Sequence, residues 1–98
     1  MRVLADLFHL VEAETPAGGR SVSYERLGEV WLAPGPVRRR TMAAPPVLVA
    51  TMTAETRDDG RLVAGRILRF SGADWRIVLA EPDPETPGRL RLSLERSR

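Results

Sequence analysis

The sequence contains no cysteine and no lysine, and it has a single histidine, His9. Without cysteine the chain has no disulfide framework, no thiol nucleophile and no thiolate metal site. His9 has no partners at metal-ligand spacing, so we expect it to be structural or exposed to solvent. Because lysine is absent, all 15 basic residues are arginines, whose planar guanidinium groups suit carboxylates and phosphates.

Long apolar runs are also missing. The opening MRVLADLFHLVEAE is interrupted by Asp6, His9 and Glu12, so we expect neither a signal peptide nor a membrane span. With 98 residues, of which 43% are hydrophobic, the chain suits one packed domain over residues 1–98. The net charge of +2 is too small to indicate a nucleic-acid binder by balance alone.

Alternating apolar residues predict a three-stranded antiparallel meander in the C-terminal third. Its strands are residues 66–70, 74–81 and 89–96, joined by a turn at Ser71-Gly72-Ala73-Asp74 and the proline-rich loop PDPETPG. Upstream, residues 47–57 also alternate and predict a strand. The expected inward positions are Leu48, Ala50, Met52, Ala54, Trp75, Ile77, Leu79, Leu90, Leu92 and Leu94.

The N-terminal third is less regular. Residues 7–14 fit strand and helix periodicity in part, but the adjacent turn signal TPAGG favours a strand that enters a hairpin. In the following SVSYERLGEVWL, Gly28 interrupts the alternation, as glycine does at a β-bulge. Core packing is the preferred role for Tyr24, whereas Trp31, next to the irregularity, is equally consistent with an outward position.

The chain is therefore predicted to be all-β, a small antiparallel β-barrel or sandwich of about six strands with one long projecting loop. That loop is an arm over residues 33–46, which includes PGPVRRRTMAAPP. We expect its prolines to keep it out of the sheet because proline provides no backbone donor. Loops of this length are usually functional or disordered.

No catalytic constellation is visible, so we expect no enzyme activity and no cofactor. The adjacent Asp58 and Asp59 precede a glycine and are explained by turn chemistry. The pair Gly18 and Gly19 lacks a following Lys-Ser and is explained by a hairpin turn.

The run Arg38-Arg39-Arg40 admits three readings: a solvated charge run, a contact with a subunit or partner, or a contact with phosphates. Three arginines supply few of the contacts that nonspecific nucleic-acid binding needs. Between the two contact readings we favour the subunit, and we select Arg38, Arg39, Arg40, Thr41 and Met42 as candidate contact residues for a partner or the DNA channel, with Trp31 as a candidate interface aromatic.

The order of these features resembles the head–tail joining (head closure or stopper) proteins of tailed phages, and most of all those of gene transfer agents. Residues 15–32 resemble the first hairpin of that family, with a Gly-Gly turn and a Gly-x-x-Trp element from Gly28 to Trp31. Residues 47–57 resemble the strand that follows the arm and ends in arginine. Residues 65–96 resemble the closing meander, with Trp75 and a Gly-Arg entry to the last strand.

The resemblance implies a non-catalytic, ring-forming barrel that is made in the bacterial cytoplasm and then sits at the head–tail junction. There it would seal the DNA-filled head and contact an adaptor or portal-side protein and a tail terminator or tail tube protein. The position also brings it within reach of nonspecific contact with packaged DNA, and it implies no membrane contact. Exposed strand edges, such as residues 62–70 or the first segment, would suit pairing between subunits. Two alternatives stay open: a neighbouring ring component, either tail terminator or adaptor, and a small nucleic-acid-binding β-barrel.

Overall fold

A computed structural model of the chain describes residues 1–42 and 47–97. No helix in this part of the chain is long and apolar enough to cross a membrane. The strands are β1 (Val3–Glu14), β2 (Arg20–Pro34), β3 (Arg38–Met42), β4 (Val47–Arg57), β5 (Ile67–Phe70), β6 (Ala73–Pro82) and β7 (Arg89–Ser97).

One antiparallel sheet contains all seven strands, in the order β2-β1-β5-β6-β7-β4-β3. A short further pairing of β2 with β4, Ala33 with Glu55 and Pro34 with Ala54, joins the two sides of this sheet. Six strands thereby form an irregular ring, and β3 continues outward from β4. The predicted all-β antiparallel class, a barrel or sandwich of about six strands, is confirmed as an irregular ring of six strands with β3 as a seventh.

The core lies inside this ring and follows the predicted alternation of β4, β6 and β7. Leu90, Leu92 and Leu94 are buried together with Ile77 and Trp75. The remaining core side chains come from inward positions of β1, β2, β4 and β5 and from Leu62 in the connector before β5: Ala5, Leu7, Val30, Leu32, Ala50, Met52, Ala54, Leu62, Leu68 and Phe70. Strict alternation was therefore a sufficient guide to most of the core.

Two predicted inward positions are wrong. Leu79 is 48% exposed because the register of β6 against β7 shifts between Ile77 and Leu79. That bulge turns Leu79 to the outer face and leaves Ala80 facing Leu92. Leu48 is also exposed, because it lies beyond the pairing of β4 with β7, which ends at Val49.

The first hairpin is confirmed, and residues 7–14 are strand. The backbone N–H of Thr15 donates to the carbonyl of Gly19 at 2.8 Å, and Gly18 takes a φ of 81° in the turn. The predicted bulge at Gly28 is also present, because Leu7 pairs with Gly28 while Phe8 pairs with Arg26.

The prediction that the arm, residues 33–46, is a loop outside the sheet is wrong for residues 38–42. Arg38–Met42 form strand β3, which pairs with β4 from Thr51 to Val47, so the prolines do not keep this segment out of the sheet. The prolines instead flank the pairing: Pro34 ends β2, the N–H of Gly35 donates to the carbonyl of Thr53 at 2.8 Å, and β3 begins after Pro36. The rest of the predicted arm, residues 43–46, lies outside the described residues.

Candidate interaction surface

The predicted contact residues lie on the outermost strand of the sheet. Arg38, Arg39, Arg40 and Thr41 are all exposed, and in the described part of the chain none of the three arginines forms an ion pair. Met42 ends the strand, and its side chain lies outside what the structure describes. The strand thus presents its arginines directly to solvent.

The arginines of β3 border two grooves, and Arg39 lines both of them. Arg38 and Arg40 border an outer groove with Thr51, Thr53, Ser93 and Glu95. Arg39 also borders a second, more apolar groove at the end of the barrel, lined by Val37, Leu48, Ala50, Met52, Trp75 and Arg96. In this groove the guanidinium carbon of Arg96 lies 5.7 Å from the centroid of the Trp75 ring.

Trp31 faces outward and is 59% exposed, which settles the orientation that its sequence context left open. It lies across β1–β2 from the exposed Leu4 and lines a groove that also contains Glu55 and Arg57. That groove shares no residue with the two that β3 borders. The structure therefore does not bring Trp31 together with the arginine strand.

The predicted core position of Tyr24 is wrong, because its side chain is 44% exposed. Its ring lies on the outer wall, 5.7 Å from the ring of Phe8 between centroids. The guanidinium of Arg69 covers Phe8 at 4.6 Å and pairs with Asp74 at 2.7 Å. This contact, which joins β1, β2, β5 and β6, seals the outer wall next to the bulge.

The seam between β2 and β4 is closed by side chains that the sequence analysis did not select. Nη1 of Arg61 donates to the carbonyl of Leu27 at 3.0 Å and Nη2 donates to that of Glu29 at 3.4 Å. The hydroxyl of Thr56 donates to the carbonyl of Trp31 at 2.8 Å. These donors satisfy backbone acceptors on β2 that lack a partner strand, so the ring stays closed although β2 and β4 pair only briefly.

The turn at Asp59 holds Arg61 in this position. Oδ1 of Asp59 accepts from the backbone N–H of Arg61 at 3.0 Å, and Oδ2 accepts from Nη2 at 2.7 Å. The predicted turn chemistry is therefore confirmed, with a second role added. A carboxylate two residues before an arginine was the only signal in the sequence, and such a pair is common in ordinary turns.

The pH dependence of stability tests this contact. Hydrogen bonds from the Arg61 side chain lower the pKa of Asp59 below its ordinary value in the folded chain. The contact therefore stabilises the fold above the pKa of the unfolded chain, and its contribution is lost as the pH falls below about 4 through the lower folded pKa. We expect Asp59→Asn to lower the melting temperature at pH 7 and to reduce the loss of stability on acidification.

Asp58→Asn is the matched control for this experiment, because the Asp58 side chain makes no hydrogen bond or ion pair with the described residues. Melting curves of both variants and the wild type from pH 7 to pH 3 supply the measurement. If Asp59→Asn and Asp58→Asn follow the same curve, the contact with Arg61 contributes nothing to the seam.

The structure also places the single histidine and the side chains of the types that bind metal ions. His9 is exposed, and no group of three His, Cys, Asp or Glu side chains in residues 1–42 and 47–97 is placed to hold a metal ion. The described surfaces include a basic edge strand and an exposed tryptophan, which are features of surfaces that bind macromolecules.

No protein-family model matches the sequence, and no curated protein matches it. Among solved structures, the fold is similar to that of a chain in the virion of a native gene transfer agent (GTA) particle, with a TM-score of 0.70 and 21% sequence identity. The similarity covers 98% of this chain and 94% of that chain. The two chains therefore share one fold over almost their whole lengths.

Proposed function

We propose that this protein is a head–tail connector of the stopper type in a tailed phage or gene transfer agent. Copies of the chain form a ring between the portal or adaptor and the tail, which seals the DNA-filled head and docks the tail. The carrying observation is the shared fold with a chain of a GTA virion, which leaves almost no part of either chain unmatched. The head-closure resemblance of residues 15–32, 47–57 and 65–96 supports the more specific position.

The physical character of the chain supports a mechanical role. A domain of 98 residues buries a limited fraction of its surface, so association with neighbours adds to its stability. Exposed apolar side chains on the outer wall, including Leu4, Val22 and Trp31, provide area for such contacts. In a closed ring each copy presents two different patches to its two neighbours.

Removal of the gene from the producing cell tests this role. We expect DNA-filled or leaking heads that lack tails, together with free tails, because stopper and docking functions are lost at once. Electron microscopy of the particles and mass spectrometry of the wild-type particles supply the measurement. Tailed particles of normal number, or one or two copies of the chain per particle, would contradict the proposal.

Site-specific cross-linking separates the stopper from the neighbouring ring components. A stopper contacts both the adaptor on the head side and the tail terminator on the tail side. An adaptor is expected to lack the contact with the tail terminator, and a tail terminator is expected to lack the contact with the adaptor. Cross-links from Trp31 and from β3 to only one side of the junction would assign the chain to an adaptor or a terminator.

A further inference from the structure

The strand that carries the arginines has an open edge. β3 is the last strand in the sheet order and pairs with β4 alone among the described strands. Its other edge therefore presents backbone N–H and C=O groups that a further strand can pair with.

Charge restricts which strand can occupy this edge. Arg38 and Arg40 lie on the same face, and both are exposed. Like charges placed directly opposite each other destabilise a strand pair, so the arginines oppose pairing of β3 with a second β3. An acidic strand would gain from the same charges.

The chain contains an acidic strand edge of the required length. β1 pairs with β5 only over Asp6–Phe8, so its last six residues, 9–14, pair on one side only, with β2. This stretch carries Glu12 and Glu14, both exposed. Glu12 contacts Arg20 at 3.4 Å in an exposed ion pair, and such pairs contribute little, so exchanging this partner costs little.

The directions of the charged side chains are also compatible with a contact between the edges of β3 and β1. Ala5 and Leu7 of β1 point into the core, so Glu12 and Glu14, at even positions, continue the outer face. Arg38 is paired with Thr51, which alternates with the inward Ala50 and Met52, so Arg38 and Arg40 also continue the outer face. If the sheet of one copy continues from β3 into β1 of a second copy, the arginines of β3 and the glutamates of β1 lie on the same outer face.

We propose that β3 of one copy pairs edge to edge with residues 9–14 of β1 in the next copy, matching Arg38 and Arg40 with Glu12 and Glu14. The two patches differ, so the contact is heterologous and propagates around a ring. This inference deepens the proposed ring and rests on it for its biological setting. The contact itself is a property of the isolated chain and is tested without particles.

Charge reversal tests the pairing. R38E/R40E and E12R/E14R each place like charges across the contact, and we expect each variant to associate roughly tenfold more weakly than wild type in sedimentation velocity. The control E81R/E85R reverses two exposed glutamates at the end of β6 and in the loop after it, outside the contact and outside the groove of Trp31, and should associate like wild type. Mixing R38E/R40E with E12R/E14R restores opposite charges, so association should recover in the mixture and not in either variant alone.

Disulfide capture locates the contact, because the chain has no cysteine of its own. Thr41→Cys is mixed with Ala13→Cys or Val11→Cys, all on the opposite face from the charge pairs, and oxidised gently. We expect mixed disulfides well above the yield with Val63→Cys, a control on the exposed connector before β5. Yields equal to that control, or no recovery in the mixed reversal variants, would overturn the proposal.

A titration with DNA tests whether the arginines of β3 bind phosphates instead of a second copy of the chain. Short duplex DNA is titrated with wild type and with R38E/R40E at two salt concentrations. If R38E/R40E loses DNA binding while its self-association stays at the wild-type level, β3 binds DNA phosphates and the proposed pairing of β3 with β1 is wrong. All these measurements use the purified chain. A negative result therefore rejects the strand pairing and does not decide the stopper role, which the gene-removal experiment tests separately.

Discussion

Replacing Leu92 with alanine is expected to lower the free energy of unfolding by about 2–5 kcal/mol. Leu92 is fully buried at the centre of β7, between Ala54 of β4 and Ala80 of β6. Because these two cross-strand neighbours are small, neither can extend into the space that the substitution leaves. Domains of this size have total stabilities of about 5–15 kcal/mol, so the variant loses a large fraction.

Leu79→Ala is the matched control for this prediction. Leu79 belongs to the neighbouring strand β6 but faces outward after the bulge, so we expect a change within about 0.5 kcal/mol. Urea denaturation followed by tryptophan fluorescence measures both variants, since Trp75 lies in the core. Equal losses for the two leucines would mean that the bulge, and with it the assignment of the inner face, is wrong.

Gly28→Ala is expected to destabilise the chain by about 1–3 kcal/mol, the cost of holding a residue with a side chain in a sparsely populated backbone conformation. Gly28 has a φ of 134°. A Cβ atom at this position would lie 2.6 Å from Nη1 of Arg61, too close for both to keep their places. The guanidinium must then move away from the carbonyls of Leu27 and Glu29, which weakens the seam between β2 and β4.

Gly60→Ala is the control, because a Cβ atom there meets nothing within 4 Å and the substitution restricts the unfolded chain. We expect its stability to be unchanged or slightly higher. The double variant G28A/R61A separates the two causes: if the contact with Arg61 matters, its loss is smaller than the sum of the single losses. A Gly28→Ala variant as stable as Gly60→Ala would show that the seam does not depend on Gly28.

The strand content, the turns and most of the core were predictable because each depends on neighbours in sequence. Leu90, Leu92 and Leu94 alternate with polar residues, and this period of two is itself the geometry of a half-buried strand. The bulge at Gly28 was predictable for the same reason, since glycine interrupts an otherwise regular pattern. The all-β class followed from these local signals alone.

The position of β3 could not be predicted from local signals. Its arginines carry no apolar alternation, and the flanking prolines indicate a loop, yet Arg38–Met42 pair with β4. The same limit explains residues 62–70, expected to form an exposed edge. β5 instead lies between β1 and β6, because strand order depends on contacts between distant parts of the chain.

The alternating faces, the glycine turns and the charges available to a partner could all be predicted from the amino-acid sequence. Contacts between distant parts of the chain bring β2 against β4 and place Arg61 at their seam. Among the described strands, the same contacts leave a basic edge at β3 and an acidic edge at β1 open. The physical reason is that alternation specifies which face of a strand is buried, whereas backbone pairing between remote strands specifies which edges remain free.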